Sequence, residues 1–181
     1  NLSTALTSLD GQAILINKDN TKGVLIRGYE KKDILKIKVI REGILEGSLM
    51  DFDNNSVSIG KNLAIELNLG IGDKITLMSP KSLSTIVGNM PRQDIFRVSS
   101  IFISGLADFD ENVLFITIND TKNLFNLSEE DKFIEIFLNN PDQIKNSKYE
   151  LEQLFPKAFI YTWADLNKSF FGALKIERNV M

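Results

Sequence analysis

The chain has 181 residues, 43% of them hydrophobic and 25% charged, with a net charge of −3. That composition suits a globular protein of one large domain or two small ones, long enough to bury a core without staples. It contains no Cys and no His, which excludes a disulfide framework, a Cys-based zinc site and a Ser-His-Asp triad; the acidic balance also lacks the basic footprint of a nucleic-acid binder.

The first runs, "QAILINK" and "KGVLIRGY", are Ile/Val/Leu-rich and separated by "DNT", which predicts a β-hairpin. "KKDILKI" reads as a short helix or turn. "ILEGSLMDFDNNSVSIG" is loop-like until a strand at Ser56–Ile59. In "GKNLAIELNLGIGDKITLMS", Leu63, Ala64 and Leu67 share one helical face. Gly70 is the expected left-handed stop, and a strand follows at Lys74–Ser79. "DIFRVSSIFIS" alternates, with Phe96, Val98, Ser100 and Phe102 on one face. "NVLFITI" is apolar almost throughout, as expected of a strand buried on both faces.

"NDTKNLFNL" predicts a short helix capped by Asn119 or Asp120, and "FIEIFLN" another strand. "NNPDQIKNSKYELEQLF" predicts a helix with Asn140 as cap and Pro141 in its first turn. Ile144, Lys148, Leu151 and Phe155 follow an i, i+4, i+7, i+11 stripe. "KAFIYTW" reads as a strand. "TWADLNKSFFGALKIERNVM" opens on a Thr162/Asp165 capping-box pattern, then carries a stripe of Trp163, Leu166, Phe170 and Leu174; Phe171 fits core or a partner surface equally.

The pattern is α+β. The expected architecture is two subdomains: a discontinuous βαβ-type, porter-like unit from residues 1–44 and 133–181, and a β-rich insert, 45–132, carrying a protruding hairpin. No motif supplies a catalytic residue, a metal site or a cofactor site. "LGIGDKITL" lacks the third glycine and the Lys-Ser/Thr of a phosphate loop. "DFDNN" and "GLADFDEN" lack the ligand spacing of a calcium loop. No pair of carboxylates stands out for general acid–base hydrolysis.

Three blocks together, "GKNLAIELNLGIGDKITLMSP", "GNMPRQDIFRVSSIF" and "ADLNKSFFGALKIERNVM", resemble the periplasmic domain of LolC/LolE-type permeases of lipoprotein-releasing ABC transporters. They stand in the family's order and spacing, and the resemblance runs from about Thr7 to Met181. It implies a soluble piece of a multi-pass protein at the periplasmic face of the inner membrane. "LKIERNVM" resembles the approach to the next transmembrane helix, and the start resembles a shortened one. The resemblance implies no enzymatic activity in this chain, since ATP is hydrolysed by a separate LolD-type subunit. The other implied partners are a second LolC/LolE-type permease subunit, lipoprotein substrates and the carrier LolA.

In LolC-type members a hairpin, the hook, recruits that carrier. By resemblance the hook is residues 82–96, with Gly88, Asn89, Met90, Pro91, Arg92 and Gln93 at or near its tip. Pro91 stands for the tip proline of LolC-type members. A proline there would block further strand pairing and pre-set the backbone. Met90 would offer an adaptable apolar contact, and Arg92 a fork for a partner carboxylate or carbonyl. MacB-type permeases share the two-subdomain architecture, and a coupling domain of that type is the alternative.

Overall fold

The computed structural model describes residues 2–85, 88–162 and 165. The chain opens with β1 (Leu2–Asn17) and β2 (Asn20–Tyr29), an antiparallel hairpin whose last pair is Asn17 with Asn20. Next come the short helices α1 (Lys31–Ile34) and α2 (Lys38–Glu42), then β3 (Ile44–Gly47). β4 (Ser56–Gly60) leads into α3 (Lys61–Glu66). The long pair β5 (Lys74–Thr85) and β6 (Gly88–Phe102) is followed by α4 (Ala107–Asn112), β7 (Val113–Thr117) and α5 (Ile118–Phe125). β8 (Phe133–Leu138) and α6 (Ile144–Leu154) complete the described elements.

Six strands close on themselves. β1 pairs antiparallel with both β2 and β5, β2 runs parallel to β7, β7 antiparallel to β4, β4 parallel to β6, and β6 antiparallel to β5. The circuit β1-β2-β7-β4-β6-β5 is therefore a barrel, which removes the edges of its member strands. β3 adds to β6 beyond the end of β5.

Alternation along each strand sends one set of side chains inward. Leu15, Ile26, Ile59, Leu77, Phe96, Val98, Leu114 and Ile116 meet there, joined by Leu63 and Ala64 of α3 and Leu124 and Phe125 of α5. Outside the barrel wall, α1 and α2 cover a second core containing Tyr29, Ile34, Ile40, Phe52, Phe102, Val113 and Phe115. This explains why β7 is apolar at nearly every position. Leu114 and Ile116 face one core, Val113 and Phe115 the other.

The chain divides into two compact units, one of Ala5–Glu135 and one joining the first residues of β1 to the chain from Ile136 onward. The expected division at 44/45 and 132/133 does not coincide with these. The β1–β2 hairpin belongs to the barrel, because β1 and β2 each take a second ladder partner from the expected insert, β5 and β7. In the second unit, the Asn140 side chain accepts from the Asp142 N–H at 2.9 Å as expected. The Thr162–Asp165 capping box also forms, with bonds of 2.9 and 3.1 Å.

Other local expectations are corrected. Residues 157–162 form no strand. The left-handed position after α3 is Asn68 (φ 50°), not Gly70. Thr117, a strand residue two positions before Asn119, caps α5 by accepting from the Asp120 N–H. Phe155 is 58% exposed despite its place on the α6 stripe. Trp163, Leu166, Phe170, Phe171 and Leu174 lie outside the described residues.

Candidate partner-docking hairpin

β5 and β6 pair in register from Lys74–Arg97 to Met78–Gln93, resume at Ser82–Pro91, and end at Thr85–Gly88. Between the two stretches, residues 79–81 stand opposite Arg92 alone. The barrel neighbour β1 reaches β5 only at Thr76, Leu77 and Met78. Among the described pairings, the outer ladder from Ser82–Pro91 to Thr85–Gly88 joins the two arms alone, a ribbon of roughly 10–15 Å at about 3.3 Å per residue. Pro80 lies within the ladder break and Pro91 at its edge, and each lacks the N–H that a further strand would need.

The six expected residues all stand on one arm, β6. The last described pair is Thr85 with Gly88, with Asn89 opposite Ser84 and Met90 opposite Leu83. Pro91 is three register steps from Gly88, opposite Ser82. Arg92 is at the break and Gln93 at the foot of the ribbon. Pro91 and Gln93 are exposed, whereas Arg92 is half-buried. Arg92 donates from Nη1 to the backbone carbonyl of Asn123 in α5. Its fork thus already serves a carbonyl of its own chain. Beside the foot lies an open groove of about 510 Å³ lined by Ile16, Thr76, Gln93, Asp94 and Ile95.

A second polar cluster escaped sequence reasoning. Arg27 and Tyr29 on β2 both bond Glu135 on β8, and the Arg27 guanidinium stacks 5.5 Å from the Tyr29 ring centre. Asp10 on β1 approaches Arg27 Nε at 3.6 Å. Burial holds the Tyr29 hydroxyl protonated far above its ordinary range and also raises Asp10, against the pull of Arg27. A buried tyrosine and a paired arginine of this kind fasten strands and present no nucleophile with a base beside it. The cluster's four members stand on three strands, one of them far from the others in sequence, which no local pattern joins. Among the described residues no group of acidic side chains could hold a metal ion, and no helix is long and apolar enough to cross a membrane.

Comparison with known proteins places this geometry. The chain is 36% identical to the lipoprotein-releasing system transmembrane protein LolC of Haemophilus influenzae over 180 residues, 94% of this chain and 44% of that protein. It is homologous to a segment of LolC. The LolC of Neisseria meningitidis serogroup B matches at 25% identity over 96% of the chain and 43% of its own length. That of Xylella fastidiosa matches at 23% over 92% and 41%. The chain thus spans about two fifths of the LolC proteins it matches. No family model matches it. Among solved structures, the extracellular domain of the noncanonic ABC-type transporter YknZ from Gram-positive bacteria shares the fold. Its TM-score is 0.55 at 14% identity, covering 84% of this chain and 74% of that one.

Proposed function

We propose that this chain is the periplasmic domain of a LolC-type membrane subunit of a lipoprotein-releasing ABC transporter, and that its β5–β6 ribbon recruits the periplasmic carrier LolA. The likeness to LolC over nearly the whole chain supports the first part. A single observation supports the second: among the described pairings, the outer ladder from Ser82–Pro91 to Thr85–Gly88 joins β5 to β6 alone. A folded domain gains little stability from such an arm, whereas a partner gains a narrow, pre-formed insert. Gly88, Asn89, Met90, Pro91 and Gln93 make the contacts, Met90 and Pro91 the apolar ones.

The domain performs no chemistry. ATP is hydrolysed by a LolD-type subunit, and a second LolC/LolE-type permease completes the transporter that hands lipoproteins to the carrier. The likeness to the YknZ domain supports a second reading at the level of fold, a MacB-like coupling permease with another partner.

Calorimetric titration with the cognate carrier separates the two. Pro91→Gly loosens the ribbon, and replacing residues 82–91 by a two-residue turn removes it. We expect about tenfold weaker binding for the first and none for the second, since a few residues carry most interface energy. Melting should be unchanged within about 0.5 kcal/mol for the point variant, as for other surface substitutions. Carrier binding undiminished in the shortened chain would end the recruitment reading, and no binding by the parent chain would favour the coupling permease.

A further inference from the structure

We infer that Arg92 is a positioning residue, which fixes the direction in which the outer ribbon leaves the barrel by tying the ladder break to the end of α5. The inference rests on the recruitment reading for its purpose, but on geometry for its substance. Three residues facing one is a larger irregularity than a single-residue bulge, and bulges bend a strand and increase its local twist. Pro80 within it and Pro91 at its edge have no N–H to give to a ladder. The break is therefore the place where the ribbon can change angle.

Arg92 is the one β6 residue at that place, and its half-buried side chain leaves the ribbon to bond the Asn123 carbonyl. Asn123 belongs to the last turn of α5, where carbonyls lack intrahelical donors and the helix dipole presents its negative end. The Asn126 N–H also donates to this oxygen, at a long 3.4 Å, which leaves a lone pair for the guanidinium. A guanidinium suits such an acceptor in both charge and shape.

The anchor itself is firm. Thr121, Leu124 and Phe125 of α5 are buried, and the latter two reach the barrel interior. Arg92 thus bridges a fixed helix and a joint. A ribbon held at one angle loses less freedom on docking, so the same contacts bind more tightly.

The absence of Cys in the parent chain makes the test direct. Asn89→Cys on the ribbon and Lys61→Cys at the start of α3 carry spin labels for pulsed distance measurement. We expect one narrow distance distribution in the labelled parent, a clearly broadened one with Arg92→Ala, and an intermediate one with Arg92→Lys. Carrier affinity should fall about three- to tenfold with Arg92→Ala, the scale of ordering a few side chains, while thermal melts keep their midpoint. Arg92→Gln, which preserves one donor, should restore part of both. A distribution unchanged by Arg92→Ala overturns the inference; if affinity falls all the same, Arg92 touches the partner directly. A broadened distribution in a chain that binds no carrier upholds the positioning role and removes the recruitment reading instead.

Discussion

Replacing Phe115 by alanine probes the least local part of the fold. The ring is 1% exposed and sits among Phe102, Tyr29 and Phe109, with centroids 5.3, 6.0 and 6.1 Å away. β7 is held by ladders to β2 and β4, so its backbone cannot sink into the space vacated. The loss should therefore lie within the ~3–5 kcal/mol usual for a buried phenylalanine, without relief from collapse. Phe115→Leu keeps most of the apolar volume but loses the ring contacts, and should cost about 1–1.5 kcal/mol. Urea titration followed by far-ultraviolet circular dichroism measures both. In thermal scans the alanine variant should melt about 6–20 °C lower, from 2–4 °C per kcal/mol at this chain length. A cost below about 1 kcal/mol for Phe115→Ala would show that no closed second core exists outside the barrel wall.

Gly60→Ala should destabilise by about 1–3 kcal/mol in urea titration, because a Cβ there would lie 2.1 Å from the backbone oxygen of Asp110. Asn68 holds a left-handed φ of 50°, so Asn68→Val should cost about 1–2 kcal/mol and Asn68→Gly almost nothing. Asp120 has its proton affinity raised by burial, against the bonds from Thr117 and the Asn55 N–H. Its folded value lies above its unfolded one, so its contribution to stability is full at low pH and declines as pH rises through the folded value. The difference in stability between Asp120→Asn and the parent should then shift in favour of the variant from about pH 4 to pH 7; a flat difference across urea midpoints would refute this.

Local signals were legible in the sequence wherever one element decides its own fate. The β1–β2 hairpin, the capping box at Thr162 and the double-faced burial of β7 all follow from turn residues, side-chain oxygens and periodicity within a few positions. The partition into units was not legible, since it depends on β2 finding β7 and β1 finding β5, and no local pattern names a strand's second neighbour. The α5 cap shows a smaller failure of the same kind. Thr117 reads as strand by its β-branching, yet its hydroxyl is the group that meets the Asp120 N–H. For the hairpin, the sequence pointed to the paired arms and to Pro91. It gave no sign of the irregularity at residues 79–81, because a ladder break depends on the register between two strands. The role of Arg92 was hidden for another reason: its partner is a backbone carbonyl, which every residue has.

The closed circuit of strands also governs the order of folding. Leu25–Tyr29 cannot pair with Val113–Thr117 until nearly ninety intervening residues exist and have been brought round, and two of the six contacts are parallel. Such non-local pairing demands the loop-closure entropy before any reward, and makes for slow folding. The neighbouring hairpins β1–β2 and β5–β6 can assemble early with their outer edges still open. The β2–β7 seam is then the last to seal, and the interval before it seals is when the chain is most exposed to strand-edge association. Pulse-labelled hydrogen exchange should find the amides of Val113–Thr117 protected later than those of the β1–β2 hairpin; simultaneous protection would mean that the barrel closes in one step.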